Sequence, residues 1–286
     1  MRPASTSASD EPLVVSDDGL YTPTIGEHSL KKIHLHNRYC RMFTTAMREK
    51  WEMAYVGLYC GAGRARVKTT GQIVETSALG AIRQPHRFSK YIFVDKESNC
   101  TNALAKRWPL IAPDADVEIV NRDVNASADD VRRMLPTTKR LLTFSFVDPF
   151  SIDLHFETIR RLSDLRIDFL ILLMLGNDVR RNFDGYHRPA SNRIDRFINL
   201  PHWRREYKDD GDPLRFVWTK FDDAMKGLGF PSTKNATYQV NVTGKSVLLY
   251  LLAFYSKDSA GLHLWEQARK SIHKYDPQTS LAFPAK

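Results

Sequence analysis

The chain has 286 residues, 42% hydrophobic and 11% aromatic, enough to bury a core of ordinary globular size and to exclude wholesale disorder. Lys and Arg number 42 against 33 Asp and Glu; the formal charge of +9 favours polyanionic partners without choosing among RNA, DNA and nucleotides. The longest apolar runs, 169–175 and 247–255, fall far short of the roughly 20 residues a membrane span needs, so no membrane partner is expected.

Residues 1–27 are small, polar and net acidic, and read as a loose N-terminal arm that residues 13–15 and 20–21 could pin to the body. They show no charged segment followed by an apolar stretch, so no secretory signal is expected there. From 29 to 48 the pattern is helical, with Ile33, Cys40, Phe43 and Met47 on one face. His34 and His36 are two apart on that helix, point to different faces and are both read as surface residues. The apolar run 54–59 then ends in Cys60-Gly61-Ala62-Gly63. Ser77 is placed to cap a short helix through Ile82. A buried strand is predicted at 91–94, closed by Asp95, and a helix at 99–108, with Pro109 and Pro113 marking the loop beyond it.

A strand at 117–120 and a helix at 128–135 follow, then a strand at 141–147 that ends in Asp148-Pro149-Phe150. A helix at 154–165 leads into the strand 169–175. Strands alternating with helices at this spacing indicate a doubly wound α/β sheet, and their continuous apolar character says that both faces are covered. Residues 177–212 break the rhythm: they are crowded with Arg, Asn, Asp and His, with Tyr186, Trp203 and Tyr207 between them. A helix at 213–228 follows, with Phe216, Phe221, Met225 and Leu228 as candidate core contacts. Two last strands, 237–242 and 247–255, are joined by Thr243-Gly244-Lys245, a hairpin turn, and a helix at 260–273 closes the pattern. The expected architecture is α/β: one Rossmann-like domain over 28–275 with a seven-stranded sheet, helices on both faces, an insertion at 177–212 and a tail at 276–286.

In an open α/β sheet, ligands bind beyond the carboxyl ends of the strands where strand order reverses. At the first such end stand Tyr59, Gly61 and Gly63, where glycines allow a tight turn and close approach of backbone to ligand. Asp95, at the second, is placed to accept hydrogen bonds from ribose hydroxyls; a helix-capping aspartate is the alternative. Asp123 and Val124, after the third, could hold an adenine. Asp148, Pro149 and Phe150, after the fourth, offer an acceptor for an amine, a fixed turn and an aromatic face; a turn whose Asp caps the next helix is the alternative. This layout resembles the class I S-adenosylmethionine-dependent methyltransferases. The chain has no G-x-x-x-x-G-K-[ST] loop, no third glycine of a dinucleotide fingerprint and no G-x-S-x-G elbow.

Cys40, Cys60 and Cys100 are sparse and scattered, which fits a reducing, cytoplasmic compartment rather than a disulfide framework. With no H-x3-5-H set against paired cysteines, no metal is expected. The N-x-S/T triplets at Asn125, Asn235 and Asn241 are read as chance sequons, and Lys31-Lys32 and Arg132-Arg133 as ordinary helix-face charges. Arg180, Arg181, Arg188, Arg193, Arg196, Arg204 and Arg205, interleaved with aromatics, could bind phosphates and bases; a solvated lobe balanced by its own acids is equally open.

Residues 55–64, 91–95, 146–150 and 249–254 resemble the three-Cys-motif partner proteins (TcmP family), as do 31–39 and 203–206. The likeness spans about residues 28–270, with its specificity in the D-P-F and glycine segments. It implies a methyltransferase-like fold, S-adenosylmethionine as cofactor and a protein partner. Gly57 stands where the family usually carries an aspartate that helps to hold the cofactor's methionine end, and Ser151 where it often has glycine. D-P-F is also similar to the tetrapeptide of the guanine-N2 methyltransferases of transfer RNA, in which the acidic side chain and proline carbonyl accept from the target amine. The expected function is methyl transfer to a nitrogen of a nucleic-acid base, with Asp148, Pro149 and Phe150 at the acceptor. The alternative is a catalytically silent methyltransferase fold that binds a protein or RNA partner.

Overall fold

The computed structural model describes residues 10–208, 211–233, 236–242 and 247–273. In chain order the elements are β1 (Val14–Val15), β2 (Thr24–Ile25), α1 (His28–Met47), β3 (Glu52–Leu58), β4 (Arg64–Val67), β5 (Ile73–Glu75), α2 (Ser77–Ile82), β6 (Lys90–Asp95) and α3 (Ser98–Arg107). Next come β7 (Val117–Asn121), α4 (Ala128–Met134), β8 (Leu141–Val147), α5 (Phe156–Leu162) and β9 (Ile167–Leu173). The last part holds α6 (Arg180–His187), α7 (Arg193–Ile198), α8 (Trp203–Glu206), α9 (Pro213–Gly227), β10 (Thr237–Asn241), β11 (Leu248–Tyr255) and α10 (Ser259–His273).

Seven strands form one sheet in the order β10-β11-β9-β8-β3-β6-β7. The five strands from β9 to β7 run parallel, whereas β11 is antiparallel to both β9 and β10. This is the Rossmann-like sheet of the methyltransferase fold, with helices on both faces. Strands β8 and β9 are apolar and buried almost throughout because each lies between two helical layers. Tyr55, Phe144 and Leu252 pack with Leu35, Tyr39 and Phe43 of α1 and Trp265 of α10 on one face. On the other, Val56 and Ile171 pack with Ile159 of α5 and Phe221 of α9. The expected Thr243-Gly244-Lys245 turn lies outside the described residues.

Three expectations change. The N-terminal segment is not loose from Asp10 onward: β1 pairs with β5 and β2 with β4, giving a second sheet of order β1-β5-β4-β2. Asp10 itself is buried against Arg38 and Arg41 of α1. The hairpin β4–β5 stands between the glycine turn and α2, and its Arg-Ala-Arg-Val alternation buries every second side chain. Thr76, not Ser77, holds the N-cap position of α2. Finally, His36 is fully buried, its ring nitrogens 2.9 Å from the Tyr55 hydroxyl and 3.1 Å from Asn37 Oδ1. Lying three residues after Ile33 and four before Cys40, it falls on the apolar stripe itself.

Burial holds His36 at about 4, below its ordinary 6.5, and lifts Asp168, against the Tyr39 hydroxyl, to about 6 from 3.8. A buried neutral imidazole costs stability as pH falls from 6.5 through 4, because only the unfolded chain takes the proton freely; over that range the loss reaches about 3 kcal/mol. Asp168 acts in the opposite sense: its contribution is intact below 3.8 and is lost as pH rises through 6. The two oppose each other between about pH 4 and 6, so their sum there is nearly level. Asp168→Asn is expected to be more stable than the parent at pH 7 by about 2 kcal/mol and to lose stability steadily from pH 6.5 to 4, as read by urea unfolding at stepped pH.

Candidate active site

The order of the sheet reverses at β3, whose neighbours are β6 and β8. Leu58 pairs with Val94 on one side and Val147 on the other, so the turns after all three strands emerge together. That convergence brings Tyr59, Gly61, Asp95 and Asp148 to one end of the sheet. Asp123 and Val124 stand one strand further out, beyond β7.

The turn after β3 uses left-handed backbone at Tyr59 (φ 61°), Gly61 (φ 65°) and Gly63 (φ 78°). The two glycines serve different ends. A Cβ on Gly61 would meet nothing within 4 Å, which leaves its backbone open to a ligand. A Cβ on Gly63 would press to 2.9 Å on both Leu79 and Leu104, so this glycine lets α2 and α3 close on the turn. Tyr59 adopts the strained conformation with a full side chain, at a cost of about 1 kcal/mol. Its hydroxyl is buried, and burial, with Asp123 and Asp153 nearby, pushes its pKa up against the opposing influence of the Asn125 side chain.

Asp95 anchors the turn and the chain that leads into α3, whose N-cap position is held by Glu97 rather than by Asp95. One carboxylate oxygen accepts from the Gly61 N–H at 2.8 Å and the other from the Glu97 N–H at 3.0 Å. Asn121 donates to the carbonyls of Asp95 and Lys96 and so joins the ends of β6 and β7. Asp123 is exposed and accepts from the Asn125 N–H at 2.7 Å, while Val124 is buried. Asn125 does more than its sequon suggests: its side chain donates to the Asp153 carbonyl and accepts from the His155 N–H and the Thr158 hydroxyl. The loops after β7 and β8 are thereby tied together.

On the other side of β3, both Asp148 carboxylate oxygens accept from Lys32 Nζ, at 2.7 and 2.8 Å. These side chains are only 15% and 18% exposed, so Lys32 is no ordinary surface charge. The Asp148 N–H donates to the Leu58 carbonyl and Pro149 is buried, but Phe150 stands in solvent at 86% exposure. Asp178, on a single π-helical turn after β9, accepts from the Ile152 N–H at 2.8 Å and from the Tyr186 hydroxyl at 2.6 Å. The insertion therefore grips the D-P-F loop directly. At Gly57 a Cβ would lie 3.0 Å from the Phe93 ring and 3.2 Å from that of Tyr55, so aromatic carbon fills the space of the expected carboxylate.

A further residue supports the glycine turn from behind. Arg107, at the end of α3, is fully buried and donates to the Ala62 carbonyl within that turn. It also donates to both Asp18 carboxylate oxygens, to the Leu20 and Tyr21 carbonyls and to the Thr22 hydroxyl. This guanidinium holds the Asp18 carboxyl down at about 2. The only trace of the clamp in the sequence is the acidic pair Asp17-Asp18, answered by Arg66 and Arg64.

No family model matches the sequence, and no curated protein does. Among solved structures, the chain is similar to protein LPL1258 from Legionella pneumophila, of family model DUF519, with a TM-score of 0.51 and 10% identity over 86% of this chain and 92% of that one. Also similar are the magnesium protoporphyrin IX methyltransferase of Synechocystis solved with SAH (TM-score 0.39, 10% identity, 80% and 86% covered) and P. horikoshii TYW2 solved with MeSAdo (0.39, 11%, 87% and 73%). At 10% identity the likeness to the Legionella protein concerns the fold alone.

Removing either partner of this pair is costly: without Arg107 the carbonyls of Leu20, Tyr21 and Ala62 lose their donor, and without the Asp18 carboxylate a fully buried guanidinium is left uncompensated. Arg107→Met and Asp18→Asn are each expected to lower the unfolding free energy by about 3 kcal/mol. Denaturant titration of the two variants checks both.

Proposed function

We propose that the chain is an S-adenosylmethionine-dependent methyltransferase acting on a nitrogen of a nucleic-acid base. The observation that carries this proposal is the pairing of an open Gly61, its amide bound to the Asp95 carboxylate, with a carboxylate at Asp148 across β3. The residues fit the cofactor: Gly61 leaves room for close approach, Asp95 can accept from ribose hydroxyls, and Asp123 with Val124 lies where an adenine edge would be read. Tyr59 and Gly63 shape the turn. Bound there, the cofactor supplies an electrophilic methyl group on sulfonium sulfur.

Asp148 and the Pro149 carbonyl then act on the acceptor. The lone pair of a base amine is shared with its ring, so the protein has to orient it toward the methyl rather than deprotonate it first; as the nitrogen takes the methyl from sulfur, the proton it sheds would pass to the Asp148 carboxylate or to water. Asp148 suits that task as a hydrogen-bond acceptor held in place by Lys32, whose ammonium donates to both of its carboxylate oxygens. An incoming amine would share the carboxylate with the ammonium. Phe150, free in solvent, can close on a planar base, and the +9 charge favours a polyanionic carrier of that base. Membership of the TcmP family, with a protein partner and a cytoplasmic location, belongs to the same proposal; among the described residues no helix is long and apolar enough to cross a membrane.

One observation favours a second reading. With Phe93 and Tyr55 crowding Gly57, the usual carboxylate for the cofactor's methionine end has no place. A silent methyltransferase fold that binds a protein or RNA would tolerate that loss.

Calorimetry with S-adenosylmethionine and its demethylated product should show binding that Asp95→Ala weakens tenfold or more, at least about 1.4 kcal/mol. Asp148→Ala should abolish transfer while cofactor affinity stays nearly intact, the mark of a residue acting on the acceptor. Incubation with methyl-labelled cofactor and separate pools of RNA, DNA and cell protein identifies the acceptor. Label only in protein would overturn the nucleic-acid choice; tight cofactor binding with no label anywhere would favour the silent subunit.

A further inference from the structure

Every arginine from Arg38 to Arg133 has a carboxylate oxygen within 4.0 Å. On α5, Arg160 and Arg161 are paired as well. Arg140 and Arg166 are held otherwise, by the Lys50 carbonyl and over the Trp51 ring, and the carboxylate pairing thins out in the insertion. There Arg193 bonds Asp153 and Arg204 bonds Asp195, and Arg204 also donates to the carbonyls of Tyr186, His187, Arg188 and Ser191. These two arginines hold the lobe together. Arg180, Arg181, Arg188, Arg196 and Arg205 are exposed, and none has a carboxylate partner among the described residues.

Their placement is tied to the acceptor loop at two points. Asp178, two residues before Arg180, accepts from the Ile152 N–H, two residues after Phe150. Arg193, three residues before Arg196, pairs at 2.6 Å with Asp153 of the same loop and stands 5.9 Å from the centre of the Tyr186 ring. Arg196 is near enough to His155 for its charge to bear on the imidazole. Arg196 thus stands near the end of the loop that carries Asp148 and Phe150, and Arg180 and Arg181 open the helix that follows its Asp178 anchor.

We propose that the exposed arginines of the insertion form the seat for the phosphodiester backbone of the strand whose base meets Asp148, an inference that rests on the nucleic-acid function above. Like charges on one small lobe repel each other, and among the described residues none of these five has a carboxylate oxygen within 4.0 Å. A phosphodiester strand offsets them at regular intervals and gains free energy by releasing condensed counterions. The planar guanidinium fork fits two phosphate oxygens at once, a geometry a lysine surface would lack. Backbone contacts of this kind fix register without reading sequence, leaving the choice of base to the loop beside them.

The test uses the full chain and fluorescently labelled, mixed-sequence single-stranded RNA and DNA, with affinity measured across a salt series. Arg180→Ala/Arg181→Ala/Arg196→Ala should bind about tenfold more weakly or worse, and its plot of log affinity against log salt should flatten by about 2, three contacts at about 0.7 each. Arg132→Ala/Arg160→Ala/Arg161→Ala, which removes the same charge from paired positions, should bind as the parent does. Should the first variant melt early, Arg181→Ala and Arg196→Ala alone carry the comparison, each flattening the slope by about 0.7.

Equal losses in the two triple variants would reduce the effect to net charge and overturn the proposal. So would unchanged affinity in the insertion variant, no binding by the parent, or poly-glutamate competing as well as nucleic acid, which would assign the surface to an acidic protein. Label transfer is scored separately. Binding through the arginines without methylation would overturn the enzymatic function and leave the surface standing, and methylation with unchanged binding would do the reverse.

Discussion

The Arg107 guanidinium holds the binding end of the molecule in register. Placing a charge in the interior is costly, and it persists only where its hydrogen bonds are met. All three of its nitrogens donate, to Asp18, to three backbone carbonyls and to Thr22. Because one of those carbonyls belongs to Ala62, the glycine turn is fixed from the helix α3 behind it and from a segment more than forty residues upstream. The left-handed turn at Tyr59, Gly61 and Gly63 is thus imposed by its surroundings, which is how a bulky tyrosine stays in a conformation it resists. Leu20, from the same upstream segment, packs on Ala62, Cys100 and Ala103 and completes the enclosure.

The acceptor side is built by an analogous device with the charges reversed. Here a buried carboxylate, Asp178, gathers donors from the D-P-F loop, from Asn182 and from Tyr186. Gly176 makes this possible, since a Cβ there would overlap the Leu248 carbonyl and hold the π-helical turn away from β11. A single arginine and a single aspartate, on opposite sides of β3, therefore each brace one of the two loops from which the site is made.

How much of this was legible in the sequence depended on how local its cause is. Strands β6, β8 and β9 announce themselves as apolar runs because both of their faces are buried, and their closing residues Asp95 and Asp148 follow from position alone. The helix α9 is equally plain, with Asp212 capping it and Pro213 at its first position. By contrast, β1, β2 and β5 have two or three residues each and exist only because a partner strand pairs with them, so no periodicity betrays them. Lys32 and Asp148 lie 116 positions apart, and their contact is set by how α1 crosses the strand ends. Arg107, in the last turn of α3 beside Lys106, carries no local pattern that sets it apart from an ordinary helix-end cation. For His36 two spacings compete: its distance from His34 says only that the two face apart, while its three- and four-residue spacing to Ile33 and Cys40 sets it on the apolar stripe.

The parallel order of the sheet also dictates a sequence of events during synthesis. Everything that frames Gly61, namely the upstream segment, β3, β6, Arg107 and the Asp123 loop, is contained in the chain before β8 has been made. On a ribosome the half of the molecule around the glycine turn can close while Asp148 is still untranslated. In that interval one edge of β3, which will lie against β8, has no partner, and it presents Met53, Tyr55 and Val56 as a bare apolar strand. The nascent chain must keep that edge from other chains until residues 141–147 emerge to cover it.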